Sequence, residues 1–158
     1  MPSVLALGFL GLLLVLLGLI TWHDARSFRI PDMLSLPLVA LGMVASLALG
    51  FGLSPALWGA AVGYGSFVAI EIFYLRLRGR EGLGRGDAKL AAAGGAWCGL
   101  AALPLIVTIA ALSALLFVGL RRLAPGRGAA PDPYLPFAPF LSGAILVVFV
   151  HRVFAHAG

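Results

Sequence analysis

LAAAGGAWCGLAALPLIVTIAALSALLFV, residues 90–118, carries no charge. The run is longer than the ~20 apolar residues that one membrane helix needs, yet short for two full ones. Its flanks decide between one crossing and two. Arg85 and Lys89 precede it, and Arg121 and Arg122 follow it. Basic residues beside membrane helices stay on the cytoplasmic side, so both ends of the run lie on one side and the number of crossings is even. The run therefore predicts a hairpin of two spans that turns near Gly99. At ~1.5 Å per residue, an arm of about fourteen residues reaches only ~21 Å. The first arm then begins below the membrane surface, which places Asp87 near or within the membrane edge.

The same reading extends outward to the whole chain. Of its 158 residues 61% are hydrophobic and 11% charged, and the mean hydropathy is +1.06. A soluble domain is about one quarter charged. The chain is therefore expected to be an all-α polytopic membrane protein, in which the core is helix against helix in lipid. Ser3 to Trp22 is one uncharged apolar run with neither a basic leader region nor an A-x-A cleavage site, which predicts a retained span and not a signal peptide. Further spans are expected over Met33–Leu49, Ala56–Leu75 and Ala138–Val150, with His151, Arg152 and His156 beyond the last. With the hairpin this makes six transmembrane helices in a single domain, residues 1–158. Pro31 and Asp32 mark a helix start, proline suiting the first turn and an acid there meeting the positive dipole end.

Ten of the eleven basic residues fall in the loops after spans 1, 3 and 5: Arg26 and Arg29, then Arg76, Arg78, Arg80, Arg85 and Lys89, then Arg121, Arg122 and Arg127. That bias predicts cytoplasmic loops at those three places and both termini on the other side. The net charge of +5 is thereby read as topology, and no nucleic-acid partner is expected. The one cysteine, Cys98, excludes an internal disulfide and a Cys-only zinc site, and its apolar surroundings make it a small packing residue. Neither a metal nor another cofactor is expected.

The longest polar interruption is Gly79 to Leu90, GREGLGRGDAKL, with four glycines at 79, 82, 84 and 86 and an acid directly after the last. Of the six acids, Asp24, Asp32, Glu81, Asp87 and Asp132 fall in cytoplasmic loops or at span ends, and Glu71 alone lies inside a span. Asp24 and Asp87 each sit at the cytoplasmic end of an apolar segment. Two intervening spans return the chain to the same side, so the two can meet. Two carboxylates sharing a water do not both ionise easily, and one keeps its proton. Such a pair supplies a general base to activate water and a general acid for the leaving nitrogen.

Gly84-Arg85-Gly86-Asp87 fits the G-x-G-D signature of intramembrane-type aspartyl proteases. The wider stretch through Leu90, with Gly95-Ala96-Trp97 after it, resembles the type IV prepilin peptidases. So do Asp24 with Ile30-Pro31-Asp32 downstream, and Pro136-Phe137-Ala138-Pro139-Phe140-Leu141 before the last span. The resemblance covers essentially the whole chain. It implies that Asp24 and Asp87 are the catalytic pair, that Gly84, Gly86 and Lys89 support them, and that the chain cuts prepilin-like proteins after a glycine at the cytoplasmic face of the bacterial inner membrane. The family's long form carries an N-terminal region with paired C-x-x-C zinc motifs associated with methylation of the new N-terminus. Here the first span begins at residue 3 and there is one cysteine, so the chain resembles the short, peptidase-only members and N-methyltransferase activity is in doubt.

Each of these residues also has a plainer reading. Asp87 suits an N-cap of the fourth helix, and both roles can hold together. The plainer reading of Asp24 is a solvated loop acid beside Arg26. Asp32 is the rival partner of Asp87, although its place suits dipole stabilisation. Lys89 reads as a lysine snorkelling to the interface or as a group that sets the titration of Asp87. Arg80 and Glu81 read as a loop-ordering pair, Glu71 as a hydrogen-bonding partner for another helix, and His23 as interfacial beside Trp22. The glycines are not a phosphate loop, because no G-K-[ST] follows. Two other functions compete with the peptidase: a small cation transporter using Glu71 and Asp87, and a non-catalytic assembly factor for a pilus or secretion machine. Membrane lipid and prepilin-like substrates are the expected partners.

Overall fold

The computed structural model describes residues 3–27, 32–79, 84–123 and 136–156. Within them the chain forms α1 (Val4–Ser27), α2 (Asp32–Ala48), α3 (Leu53–Arg78), α4 (Arg85–Cys98), α5 (Leu103–Leu123) and α6 (Ala138–His156), with one 3-10 turn at Leu100–Ala102. Among the described residues there is no strand. Four stretches, Val4–Asp24, Leu53–Arg78, Leu100–Leu123 and Ala138–His156, are long and apolar enough to cross a membrane. The other two helices are shorter, α2 with 17 residues and α4 with 14. The six expected helices are thus present. The uncharged run does turn at Gly99, whose φ of 80° is a left-handed backbone that favours glycine. Pro31, Arg80, Glu81, Arg127 and Asp132 lie outside the described residues.

Several helices outrun the expected spans. The first continues past Trp22 to Ser27, and the third past Leu75 to Arg78. Long basic side chains at such ends lay their stems on apolar surface and keep their charge in water, so the ladder of backbone bonds goes on beyond the apolar run. The sixth continues to His156. Arg152, expected beyond the last span, therefore sits inside α6, and the reason is a partner that the hydropathy pattern does not display.

That partner is α4. Ala88 and every residue from Leu90 to Cys98 on this helix are buried. Seven of these ten are alanine or glycine, and the neighbouring helices are correspondingly bare. Gly59 of α3 and Gly95 of α4 face each other so closely that a Cβ on either would collide with the other's carbonyl oxygen. A Cβ on Gly63 would lie 2.6 Å from the Ala91 carbonyl oxygen, and one on Gly42 of α2 would lie 2.6 Å from Trp97 Cδ1. The Gly59-x-x-x-Gly63 spacing puts both glycines on one face. In lipid, where apolar burial does not drive helices together, close approach of this kind does.

The far end of α4 is closed by polar contacts. The last carbonyls of a helix lack internal partners. Here Ser46 Oγ donates to the Ala96 carbonyl at 2.8 Å, and Arg152 Nη1 donates to the Trp97 carbonyl at 3.3 Å. The guanidinium stands at the negative end of the α4 dipole and lies 4.1 Å above the Phe51 ring. Trp97 is wholly buried, donates Nε1 to the Leu38 carbonyl at 2.8 Å and meets the edge of Phe149. Cys98 is buried as a packing residue, its thiol 3.8 Å from the Ile145 carbonyl.

Gly59→Val is expected to lower stability by about 1–3 kcal/mol, the usual scale of overpacking, read as an earlier unfolding midpoint in detergent micelles. Gly65→Ala on the same helix, where an added Cβ meets nothing within 4 Å, is expected to leave the midpoint unchanged or slightly higher.

Candidate active site

Asp24 sits in the last turn of α1. Leu13, Leu17 and Ile20 form the buried stripe of that helix, spaced four and three residues apart, and Asp24 continues it four residues on. Residues at this spacing share one helix face, so the carboxylate turns inward with the stripe. It is 7% exposed, which rules out a solvated loop acid. Arg26 does not pair with it; its guanidinium stacks 4.2 Å above the Trp22 ring. His23 and Trp22 are exposed on the outer face, as an interfacial pair would be.

Asp87 is the third residue of α4 and half-buried. Its N–H donates to the Gly84 carbonyl at 3.0 Å, so Gly84 is the cap and Asp87 is not. An acid in the first helical turn is stabilised in its charged form by the dipole, but other effects win here. Burial pushes the Asp87 carboxyl up from its usual value to about 7, and the charge of Asp24 adds to the rise. Asp24, in the last turn of α1, and Asp87, in the first turn of α4, are 63 residues apart in the chain.

Lys89 and Arg85, the two cations on the same helix as Asp87, are already engaged. Lys89 forms an ion pair with Asp32, the first residue of α2, so its ammonium is directed to the start of α2. Arg85 Nε lies 3.5 Å from Glu71 Oε1, tying the start of α4 to α3. Glu71 thus hydrogen-bonds to another helix. These two pairs fasten the first turn of α4 on both sides, and neither was specified by the spacing of the acids. Among the described residues no three His, Cys, Asp or Glu side chains gather as a metal site would need.

Gly84 adopts φ −78° and ψ 137°, an extended backbone open to any residue. A Cβ there would lie 3.9 Å from Asp87 Oδ2, an ordinary contact. Among the described residues nothing therefore demands glycine at Gly84. A side chain at this position would start beside the Asp87 carboxylate. Gly86, half-buried, follows in the first turn of α4.

The chain matches the type IV leader peptidase family over residues 11–119. It is 41% identical to the leader peptidase HopD of Escherichia coli, over 90% of this chain and 92% of that protein. It is 43% identical to a prepilin leader peptidase/N-methyltransferase of Xanthomonas campestris pv. campestris over 80% of this chain and 44% of that protein. A protein of the same name from Neisseria gonorrhoeae is 40% identical over 93% of this chain and 49% of its own length. The chain thus spans about half the length of these two relatives. No solved structure matches it.

The native protein holds a proton on Asp87 that the unfolded chain has released between the ordinary 3.8 and about 7. Stability then falls as pH rises through that window, because the unfolded state binds fewer protons there. Asp87→Asn removes the cost, so it is expected to raise the unfolding midpoint more above pH ~7 than below pH ~4. Infrared titration of the protonated carboxyl band is expected to show a group near neutrality that disappears in Asp87→Asn. In Asp24→Asn that midpoint should move down without returning to the ordinary value, since burial is the larger cause.

Proposed function

The chain belongs to the type IV leader peptidase family, and on that premise we propose that it is a membrane aspartic endopeptidase. Its substrates are type IV prepilin-like proteins, pilins or pseudopilins, cut after a glycine at the cytoplasmic face of the bacterial cytoplasmic membrane. Relatives named for the leader peptidase activity support the reaction class. What supports the mechanism is the placement of two carboxylates at helix ends, Asp24 buried in the last turn of α1 and Asp87 half-buried in the first turn of α4, where burial and the charge of Asp24 push the Asp87 carboxyl up to about 7. A carboxyl in that condition is half protonated at neutral pH, which is what acid–base catalysis by a pair requires.

In this reading Asp24 and Asp87 hold one proton between them with a water alongside. The ionised carboxylate takes a proton from the water as its oxygen attacks the scissile carbonyl carbon. The protonated carboxyl donates to the carbonyl oxygen and stabilises the charge that develops there. When the C–N bond breaks, the leaving nitrogen takes a proton from the pair. The apparent constants belong to the pair, and the proton is shared between the two acids through the cycle.

The lack of a side chain at Gly84, next to the Asp87 carboxylate, favours the approach of an extended substrate backbone. Lys89 supports the site at one remove, holding the first turn of α4 to Asp32. The distribution of basic residues supports cytoplasmic loops after α1, α3 and α5, with both termini on the opposite side. Basic loops repel a basic leader, so apolar contact carries most of the substrate's affinity. Glu71, the acid that a cation transporter would use, is occupied by Arg85.

Asp24→Asn and Asp87→Asn preserve size and remove the carboxylate. Each is expected to lower cleavage of a purified prepilin-like substrate by at least about a thousandfold, the scale on which general acid–base groups act. Near wild-type cutting by either would sink the aspartic mechanism. Asp32→Asn is expected to retain activity, since Asn still caps a helix and still accepts from Lys89. The wild-type rate should fall as pH rises above ~7 and the shared proton leaves. A rate that climbs steadily with pH would assign the chemistry elsewhere.

A further inference from the structure

Between α1 and α6 lies an open groove of about 360 Å³ on the outer surface of the bundle. Leu17, Gly18, Thr21 and Trp22 form one wall, and Ser142 and Gly143 contribute to the other. We propose that this groove seats the apolar helix of the substrate, with the head of that helix at Asp24. The inference rests on the peptidase reading above and adds the place where the substrate binds.

Three observations carry it. First, the groove leads to the acid. Leu17, Thr21 and Asp24 are spaced four and three residues apart on one face of α1, so Asp24 lies one turn beyond the groove wall. Second, among the described residues the glycines of the groove serve no packing. A Cβ on Gly18 or Gly143 meets nothing within 4 Å, in contrast to Gly59, Gly63 and Gly95. Gly18 lies six residues before Asp24, ~9 Å along the helix. Gly143 lies five residues after the start of α6, ~8 Å along it. The far end of α6 meets Phe51 and the end of α4 through Arg152 and His156, so its start is at the Asp24 end. The two bare positions therefore sit at one depth, facing a common space.

The third observation selects the occupant. Ser142 is 5% exposed, lines the groove, and its hydroxyl has no hydrogen-bond partner among the described residues. A buried hydroxyl without a partner is costly. A lipid acyl chain supplies no acceptor, whereas a helix laid across small residues brings backbone carbonyls and polar side chains within reach. An open groove of this size takes the side chains along one face of such a helix, the usual manner of helix docking.

Disulfide trapping tests the assignment. Gly143→Cys is introduced together with Asp24→Asn, so that substrate stays uncut, and the prepilin-like substrate carries a cysteine about six residues past the scissile bond, ~9 Å along its helix. A strong enzyme–substrate crosslink is expected from Gly143→Cys and none from Leu115→Cys on the exposed face of α5. Equal trapping at both positions, no trapping at either, or crosslinks between two copies of the enzyme would overturn the proposal. In the active chain, Gly143→Leu is expected to raise KM for the full substrate by about tenfold with little change in kcat, the pattern of lost uniform binding. Gly143→Ala should stay near wild type. An unaltered KM in Gly143→Leu counts against the groove. Cleavage by the unsubstituted chain without trapping removes the groove alone; trapping without cleavage removes the peptidase reading alone.

Discussion

Contact between two bare backbones, Gly59 on α3 and Gly95 on α4, is the constraint on which the rest of this bundle depends. With no side chain between them, α4 sinks far enough into the protein that every residue from Leu90 to Cys98 is buried. A helix of 14 residues is too short to bridge a bilayer core of ~30 Å by itself, and here it has no need to. It is held by other helices and makes little use of lipid. Its first turn consequently lies at a depth fixed by packing, and Asp87 is on that turn.

The helix is held differently at its two ends. At the far end a guanidinium and a serine hydroxyl answer the last carbonyls, and a buried tryptophan bonds across to α2. At the near end the anchoring pairs, Lys89 with Asp32 and Arg85 with Glu71, flank the carboxyl without neutralising it. A lysine turned towards Asp87 would hold it ionised and end its use as a proton donor. With Lys89 and Arg85 directed to other acids, burial and the charge of Asp24 are what push its carboxyl up among the described residues.

Much of this was legible in the residues. The uncharged run from Leu90 to Val118 and its basic flanks gave the hairpin, because hydropathy and charge bias report how often a chain crosses. The same logic put Asp24 and Asp87 on one side. The depth of Asp24 was less legible. Its neighbours His23, Asp24, Ala25 and Arg26 read as loop, and only the three-four spacing from Leu13 through Ile20, carried one step on, places the acid inward. Arg152 was misjudged for a related reason. An arginine at the end of an apolar run looks like a boundary marker, and its carbonyl partner on Trp97 is 55 residues away in sequence. Pairings such as Lys89 with Asp32 depend on how α2 and α4 are rotated, which no single-chain pattern encodes. Glycines present the same limit: Gly59 and Gly143 look alike in the sequence, yet one is pressed against a backbone and the other faces open space.

The two acids are suspended from helices that feel the membrane differently. Asp24 ends a helix long enough to span, with Trp22 and Arg26 exposed at its head where interfacial anchors sit. Asp87 begins a helix enclosed by protein. Bilayer thickness acts on the first directly, through tilt and hydrophobic matching, and on the second only through the helices around it. The separation of the two carboxylates is thereby coupled to the thickness of the surrounding lipid, so acyl-chain length becomes a physical variable of the site itself.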